Sequence, residues 1–360
     1  MPKMKVLVIF GGESGEHEVS LVSAASVIQA LDKEKYEILT VGITKKGQWY
    51  WGIDPQTWKL NNGTVSSHDV QVTLVTDPAN PRFIPVSGNT LPGDGKFDLI
   101  FPVLHGPKGE DGTIQGLFEI AGVPYVGSGV LGGALGMDKD RMKAVFAQAG
   151  LPIVPHITVL KNQIDNDPDS IRTKVMTELS FPVFVKPANL GSSVGITKVS
   201  RESDLGQALK LAAAYDDKVV IEQGVKAREI ELAVLGNETP QATVPGEIIP
   251  CKEFYDYEAK YIDDSKLIIP AQLNKKTVNK LQEYAVTVFQ AVDASGLGRV
   301  DFFVTDTEEI FVNEINTLPG FTNISMYPKL WEATGVSYPE LLNRLIRLGL
   351  ERFHRLNVTD

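Results

Sequence analysis

Val6 to Phe10 is an unbroken apolar run that enters Gly11 and Gly12 and is followed by a helical pattern. Continuous apolarity over that length fits a parallel strand buried on both faces. The following stripe, Leu21, Ala24, Ala25, Ile28 and Leu31, recurs at the spacing of an amphipathic helix. A glycine turn between such a strand and helix resembles a phosphate cradle, but the third glycine of a dinucleotide fingerprint and the Gly-Lys-Ser/Thr of a P-loop are both missing. Instead Glu13, Glu16 and Glu18, with His17 among them, crowd the turn. Acids repel phosphate and suit a cationic group such as an ammonium. They also suit the first turn of a helix, where they complement its dipole, and this stretch alone leaves both readings open.

The alternation continues to about residue 126: Glu37–Ile43, then a strand ending at Leu104 in "FDLIFPVLHG", then a helix in "GTIQGLFEIAG". It predicts a doubly wound α/β sheet with ligands at the carboxyl ends of its strands. Residues 47 to 95, rich in Asn, Gly, Ser and Pro, read as an irregular excursion with short strands. A length of 360 residues exceeds one ordinary core. We expect three domains: 1–126; 127–224, where "MDKDRMKAVFAQAGLP" gives a helix stopped by Gly150 and the following strands read as antiparallel; and 225–360, with a helix from about 276 to 294 and a hairpin in "GRVDFFVTDTEEIFVNEINTLPGF".

That hairpin is the most informative segment. Side chains two apart on a strand share a face, so Arg299 and Asp301 point one way and Glu314 and Asn316 share a face on the return strand. Two carboxylates and an amide suit Mg²⁺, which leaves positions for water and substrate phosphates. A solvated salt bridge is the alternative, but flanking Val300, Phe302, Phe311 and Ile315 make unpaired charge costly there. "VKPANLGSSVG" supplies opposite charge: Lys186 ends a strand, and Gly191, Ser192, Ser193 and Gly195 allow backbone to lie against phosphate oxygens. Lys139 is a second such charge or part of a solvated helix face.

Together "GGESGEHEVS", "HGPKGEDGTIQG", "GVPYVGSGV", "MDKDRMK", "VKPANLGSSVG", "YDYEAKY", "GRVDFF" and "NEINTLPGFT" resemble, in order and from Gly11 to Ser325, the D-alanine–D-alanine ligase family of the ATP-grasp superfamily. The resemblance implies an ATP-grasp fold, with a doubly wound parallel-sheet domain followed by two α+β domains that enclose ATP. It implies an ATP-dependent ligase that joins two D-alanines through a D-alanyl phosphate, for peptidoglycan precursor synthesis. Glu16 would hold the ammonium of the first D-alanine, with His105 close to it. Lys139 and Lys186 would meet ATP phosphates, and Glu222 and Glu229 would lie on the adenosine side. Asp301, Glu314 and Asn316 would bind two Mg²⁺ ions, with Mn²⁺ as a substitute. Arg299 and the N–H of Gly320 would stabilise the oxyanion, and Ser325 would meet the carboxylate of the second D-alanine. Ser192, Lys260 and Tyr261 would belong to loops closing over the site, and the protein would be a cytoplasmic homodimer.

Composition narrows the rivals. Hydrophobic residues at 43% and charged residues at 22% are globular proportions. A net charge of −10 without a basic stripe argues against nucleic acid as a partner. No stretch of about 18 apolar residues suggests a membrane span, and one cysteine, Cys251, allows no internal disulfide and reads as a small core residue. D-alanyl-D-lactate synthesis, another carboxylate–amine ligation, and a nucleotide-binding regulator without catalysis remain as alternatives.

Overall fold

The computed structural model describes residues 2–61, 63–88, 90–192, 194–249 and 266–356. Strand β1 (Met4–Gly11) lies parallel between β2 (Tyr36–Ile43) and β6 (Leu99–Leu104), and Val6 to Phe10 are fully buried, as continuous apolarity requires. The chain crosses from β1 to β2 through the helix His17–Ala30. Its buried face includes Ser20, Leu21, Ser23, Ala24 and Val27, while Ala25 and Ile28 are half-buried. The rotation has a polar cause. Ser20 Oγ accepts from Gly11 N–H at 2.7 Å and donates to the carbonyl of Val103, so two serines occupy the helix–sheet contact.

The excursion after β2 adds β3 (Trp49–Trp51), β4 (Val70–Val75) and β5 (Arg82–Pro85), each antiparallel to its neighbour, giving the order β5-β4-β3-β2-β1-β6. The parallel part is therefore three strands wide, because β3, β4 and β5 each add antiparallel, the helix Pro55–Leu60 lying between β3 and β4.

The second sheet is antiparallel throughout, as expected. It contains β7 (His156–Leu160), β8 (Val183–Pro187), β9 (Thr197–Val199) and β10 (Lys218–Gln223) in the order β7-β10-β8-β9. Val175, Val183, Val185, Leu209, Val219 and Ile221 belong to its own core.

The third sheet holds β11 (Ala227–Gly236), β12 (Gln241–Ala242), β13 (Gly246–Ile249), β14 (Lys266–Ile268), β15 (Gly296–Thr305) and β16 (Ile310–Asn316). Its path is β14-β13-β11-β15-β16, with β12 paired to β11. The helix Lys275–Ala291 buries Leu281, Ala285, Val288 and Phe289 in a core with Val300, Phe302 and Ile315. Met142 and Phe146, from the helix Lys139–Gln148, enter this core. Gly150, at φ +71°, follows that helix.

A shared apolar core joins the first sheet to the end of the chain. Phe321, Tyr327, Leu330, Leu341 and Leu345 pack with β1 and β6, and the Phe321 ring lies 6.0 Å from Phe101, 5.7 Å from Tyr327 and 6.3 Å from Tyr338. Arg352 of the helix Tyr338–Leu356 stacks 4.1 Å from the Tyr125 ring centre and pairs with Glu119 at 3.1 Å. The loop after β16 is thereby anchored near the carboxyl ends of β1 and β6. Among the described residues no helix is long and apolar enough to cross a membrane.

Truncating Phe321 to Ala should lower the unfolding free energy by about 3–5 kcal/mol, the usual cost of emptying a buried aromatic site. Urea denaturation checks this; a loss below about 1 kcal/mol would show that the ring does not fasten the loop.

Candidate active site

Gly11 ends β1 at φ +92°, and a Cβ there would stand 2.2 Å from the Ile43 carbonyl oxygen, so only glycine fits the turn. The three acids that follow separate by environment. Glu13 pairs with Lys108 at 2.8 Å and Glu18 with Lys45 at 2.9 Å, both in exposed positions where such pairs contribute little. Glu16 precedes the helix His17–Ala30 but makes no side-chain cap. It accepts a hydrogen bond from Ser192 Oγ at 2.5 Å, reaching the loop after β8. A Cβ on Gly191 would lie 3.1 Å from Glu16 Oε2, which explains a glycine beside the contact. Ser192 itself is left-handed at φ +51°, a conformation that non-glycine residues adopt at a cost.

Two further groups face Glu16. His105 follows β6, with Nε2 3.4 Å from Ser23 Oγ. Burial pushes its pKa down against the opposing pull of Glu16, which favours the neutral imidazole. Glu110 accepts the N–H of Gly106 at 2.7 Å. Burial, reinforced by the charge of Glu16, pushes its carboxyl up to about 8.

The β15/β16 hairpin forms the opposite wall. Arg299 faces Asn316 and Asp301 faces Glu314, before a bulge shifts the register. Arg299 donates through Nε and Nη2 to Asp301 at 2.8 and 2.7 Å, and its Nε lies 3.1 Å from Glu231. Burial opposes the guanidinium charge, but Asp301 and Glu231 outweigh it and push the pKa up. Asn316 Oδ1 accepts the N–H of Leu318 at 3.0 Å. Ser325 Oγ accepts the N–H of Thr322 at 2.9 Å, and a Cβ on Gly320 would come within 2.9 Å of that oxygen.

Glu16, His105, Glu110, Glu231, Arg299, Glu314, Asn316, Gly320 and Ser325 line one cavity of about 140 Å³. An adjoining cavity of about 230 Å³ shares His105 but has the Glu13–Lys108 pair at its charged edge. Asp301 contributes through Arg299. Asp301, Glu314 and Asn316 offer only hard oxygen donors, the set that fits Mg²⁺. Among the described residues no group of three or more His, Cys, Asp or Glu forms a metal cluster, so any divalent ion here would depend on the amide and on ligands from substrate or water.

The lysines lie together on the second-sheet side. Lys139 begins a helix capped by Asp138 and donates to the Leu190 carbonyl at 2.7 Å; it is 8% exposed and so not part of a solvated face. Lys186 is the last residue but one of β8 and pairs with Glu222 of β10. Lys143 approaches the other Glu222 oxygen at 2.9 Å. Burial alone would raise the Glu222 carboxyl, but Lys143 and Lys186 reverse this and hold it at about 2. Glu229 is half-buried on β11, opposite Phe303 and Ile248. Lys260, Tyr261 and Cys251 lie outside the described residues.

Sequence reasoning missed Glu110, Glu231, Lys143 and Ser23. Signals existed for three: Glu110 sits within "HGPKGEDGTIQG", Glu231 is two residues from Glu229 and just before the apolar run Leu232 to Leu235, and Lys143 is one helical turn beyond Lys139.

Comparison with known proteins agrees across the chain. Residues 5–128 match the family model described as D-ala D-ala ligase N-terminus, and residues 145–347 match D-ala D-ala ligase C-terminus. A D-alanine–D-alanine ligase of Heliobacterium modesticaldum is 51% identical over 358 residues, covering 98% of this chain and 96% of the relative. The solved D-alanine-D-alanine ligase of Coxiella burnetii superposes with a TM-score of 0.84 at 35% identity, covering 99% of this chain and 96% of that one. The VanG D-Ala:D-Ser ligase of Enterococcus faecalis gives 0.86 at 37% identity, covering 97% and 100%.

Glu110 yields a pH prediction. An ordinary glutamate ionises near 4.5, whereas the folded site holds this proton to about 8. The native state therefore binds more protons than the unfolded chain between these values, and stability falls as pH rises through the window. Glu110→Gln keeps an acceptor for Gly106 and removes the titration. Its unfolding free energy should drop less than that of the wild type between about pH 5 and pH 8, by about 2–4 kcal/mol. Parallel stability profiles from urea titrations would contradict the assignment.

Proposed function

This chain belongs to the D-alanine–D-alanine ligase family, and we propose on that footing that it joins two D-alanines into D-alanyl-D-alanine with conversion of ATP to ADP and phosphate. The observation that carries the substrate reading is Glu16. It stands at a helix N-terminus without capping it and lines a cavity that Arg299 also lines. The cavity thus offers a carboxylate to an ammonium and a guanidinium to developing negative charge.

In this reading the carboxylate oxygen of the first D-alanine attacks the γ-phosphorus of ATP, ADP leaves, and a D-alanyl phosphate forms. The amine of the second D-alanine then attacks the acyl carbon, loses a proton, and expels phosphate. Glu16 receives the first ammonium, and neutral His105 lines the same space without adding a competing charge. Arg299 and the N–H of Gly320 face the tetrahedral oxyanion. Ser325 Oγ, at the start of the helix Met326–Ala333, meets the second carboxylate. Lys139 and Lys186 lie beside the glycine and serine loop, where ATP phosphates would rest, and Glu222 and Glu229 belong to the nucleotide side. Asp301, Glu314 and Asn316 would hold two Mg²⁺ ions, or Mn²⁺ in their place, and the ions would supply charge neutralisation to the phosphates. Ser192, Lys260 and Tyr261 would exclude water from the acyl phosphate. We further propose that the protein works as a homodimer in peptidoglycan precursor synthesis.

Phosphate release and product analysis test this reading. D-alanine should support turnover, L-alanine should not, and D-alanyl-D-alanine should exceed any product formed with D-lactate or D-serine as second acceptor. D-serine is included because the Enterococcus faecalis neighbour is a D-Ala:D-Ser ligase. Glu314→Gln should reduce turnover by at least about a hundredfold at every Mg²⁺ concentration, having lost a charged ligand at unchanged size. D-alanine-independent phosphate release, or a Glu314→Gln enzyme with wild-type turnover, would overturn the assignment.

A further inference from the structure

Lys143 is 1% exposed, an uncommon position for a lysine. Its ammonium lies 2.9 Å from Glu222 Oε1 and donates to the carbonyl of Asn313 at 3.3 Å. The second contact depends on the hairpin irregularity. Asp301 pairs with Glu314 and Phe302 with Val312, so Asn313 is the extra residue of the bulge and has no cross-strand partner in the ladder. The other Glu222 oxygen pairs with Lys186. One buried carboxylate is therefore shared by two ammoniums, and the charge of Glu314 also acts on Lys143.

We propose that Lys143 is a positioning residue whose charge occupies Glu222 and so leaves Lys186 available to an incoming phosphate. The inference deepens the reading in which Lys186 faces ATP phosphates, and it rests on that reading. Without Lys143, Glu222 would hold Lys186 in a neutral one-to-one pair. Moving Lys186 toward a phosphate would then leave a buried carboxylate unpaired, which is strongly unfavourable. With Lys143 present, Glu222 keeps a partner throughout. The sulfur of Met142 also lies 3.4 Å from the N–H of Ile315, so the helix bearing Lys143 is seated directly against β16.

Calorimetric titration of the full-length protein with a non-hydrolysable ATP analogue and Mg²⁺ tests the proposal. Lys143→Met should weaken the analogue by at least about tenfold, the weight of a charge-assisted contact, while the KM for D-alanine stays within about twofold. Lys143→Arg should restore most of the affinity. In a Glu222→Gln background the Lys143→Met change should fall to within about twofold, because no acid remains to restrain Lys186. An undiminished effect in that background would overturn the proposal, as would wild-type affinity in Lys143→Met. Lys186→Met separates the two levels: if it leaves binding intact, the phosphate reading itself fails, and if it weakens binding while Lys143→Met does not, only the positioning role fails. Should Lys143→Met not fold, Lys143→Gln takes its place, and the same two readings decide: wild-type affinity in the single variant, or an undiminished effect in the Glu222→Gln background, overturns the proposal.

Discussion

Arg299 binds two carboxylates, Asp301 on its own strand and Glu231 on the neighbouring strand β11, at distances of 2.7 to 3.1 Å. Glu314 adds to the same field. Three acids gathered on one partly buried sheet face would repel one another and resist desolvation; a guanidinium among them turns the arrangement into a stable wall with directed charge. The antiparallel register puts the acids there, and apolar Val300, Phe302 and Ile315 fix that register by filling the core on the other face. Binding chemistry and packing are thus two sides of the same strands.

The remaining walls are brought to this sheet by contacts of different kinds. Phe321 joins the loop after β16 to the first sheet through apolar burial. Glu16 meets Ser192 by a hydrogen bond between the first helix and the loop after β8. Lys139, rooted in a helix that shares the third core, reaches the Leu190 carbonyl. The hydrogen bonds at Glu16 and Lys139 are polar, so they can be exchanged for substrate groups without disturbing the cores. Two charge clusters result: acids and Arg299 around one cavity, and lysines around Glu222 beside it.

The sequence made the architecture legible where a single interaction dominates. Val6 to Phe10 announced a doubly buried strand, and period-two placement of Arg299, Asp301, Glu314 and Asn316 announced a functional strand face. It was less informative where partners come from distant segments. Ala25 and Ile28 looked like core positions, but the helix rotates because Ser20 and Ser23 bond to backbone at Gly11, Val103 and Phe321. Glu13, Glu16 and Glu18 looked alike; pairing with Lys108 and Lys45 marks two of them as exposed, while Glu16 meets Ser192 and lines the cavity of Arg299. Lys143 carried no local sign that its neighbour would be Glu222, since the two are brought together by β10 and by a bulge in β16.

An ammonium receptor at Glu16 is the claim on which the substrate chemistry turns. Titration of the protein, with Mg²⁺ and a non-hydrolysable ATP analogue present, by D-alanine and by D-lactate tests it most directly, because the two ligands differ in carrying an ammonium or a hydroxyl. D-alanine should bind at least about a hundredfold more tightly, since D-lactate offers a neutral donor to the carboxylate and forfeits the charge pairing. Equal affinity for the two would contradict the role of Glu16.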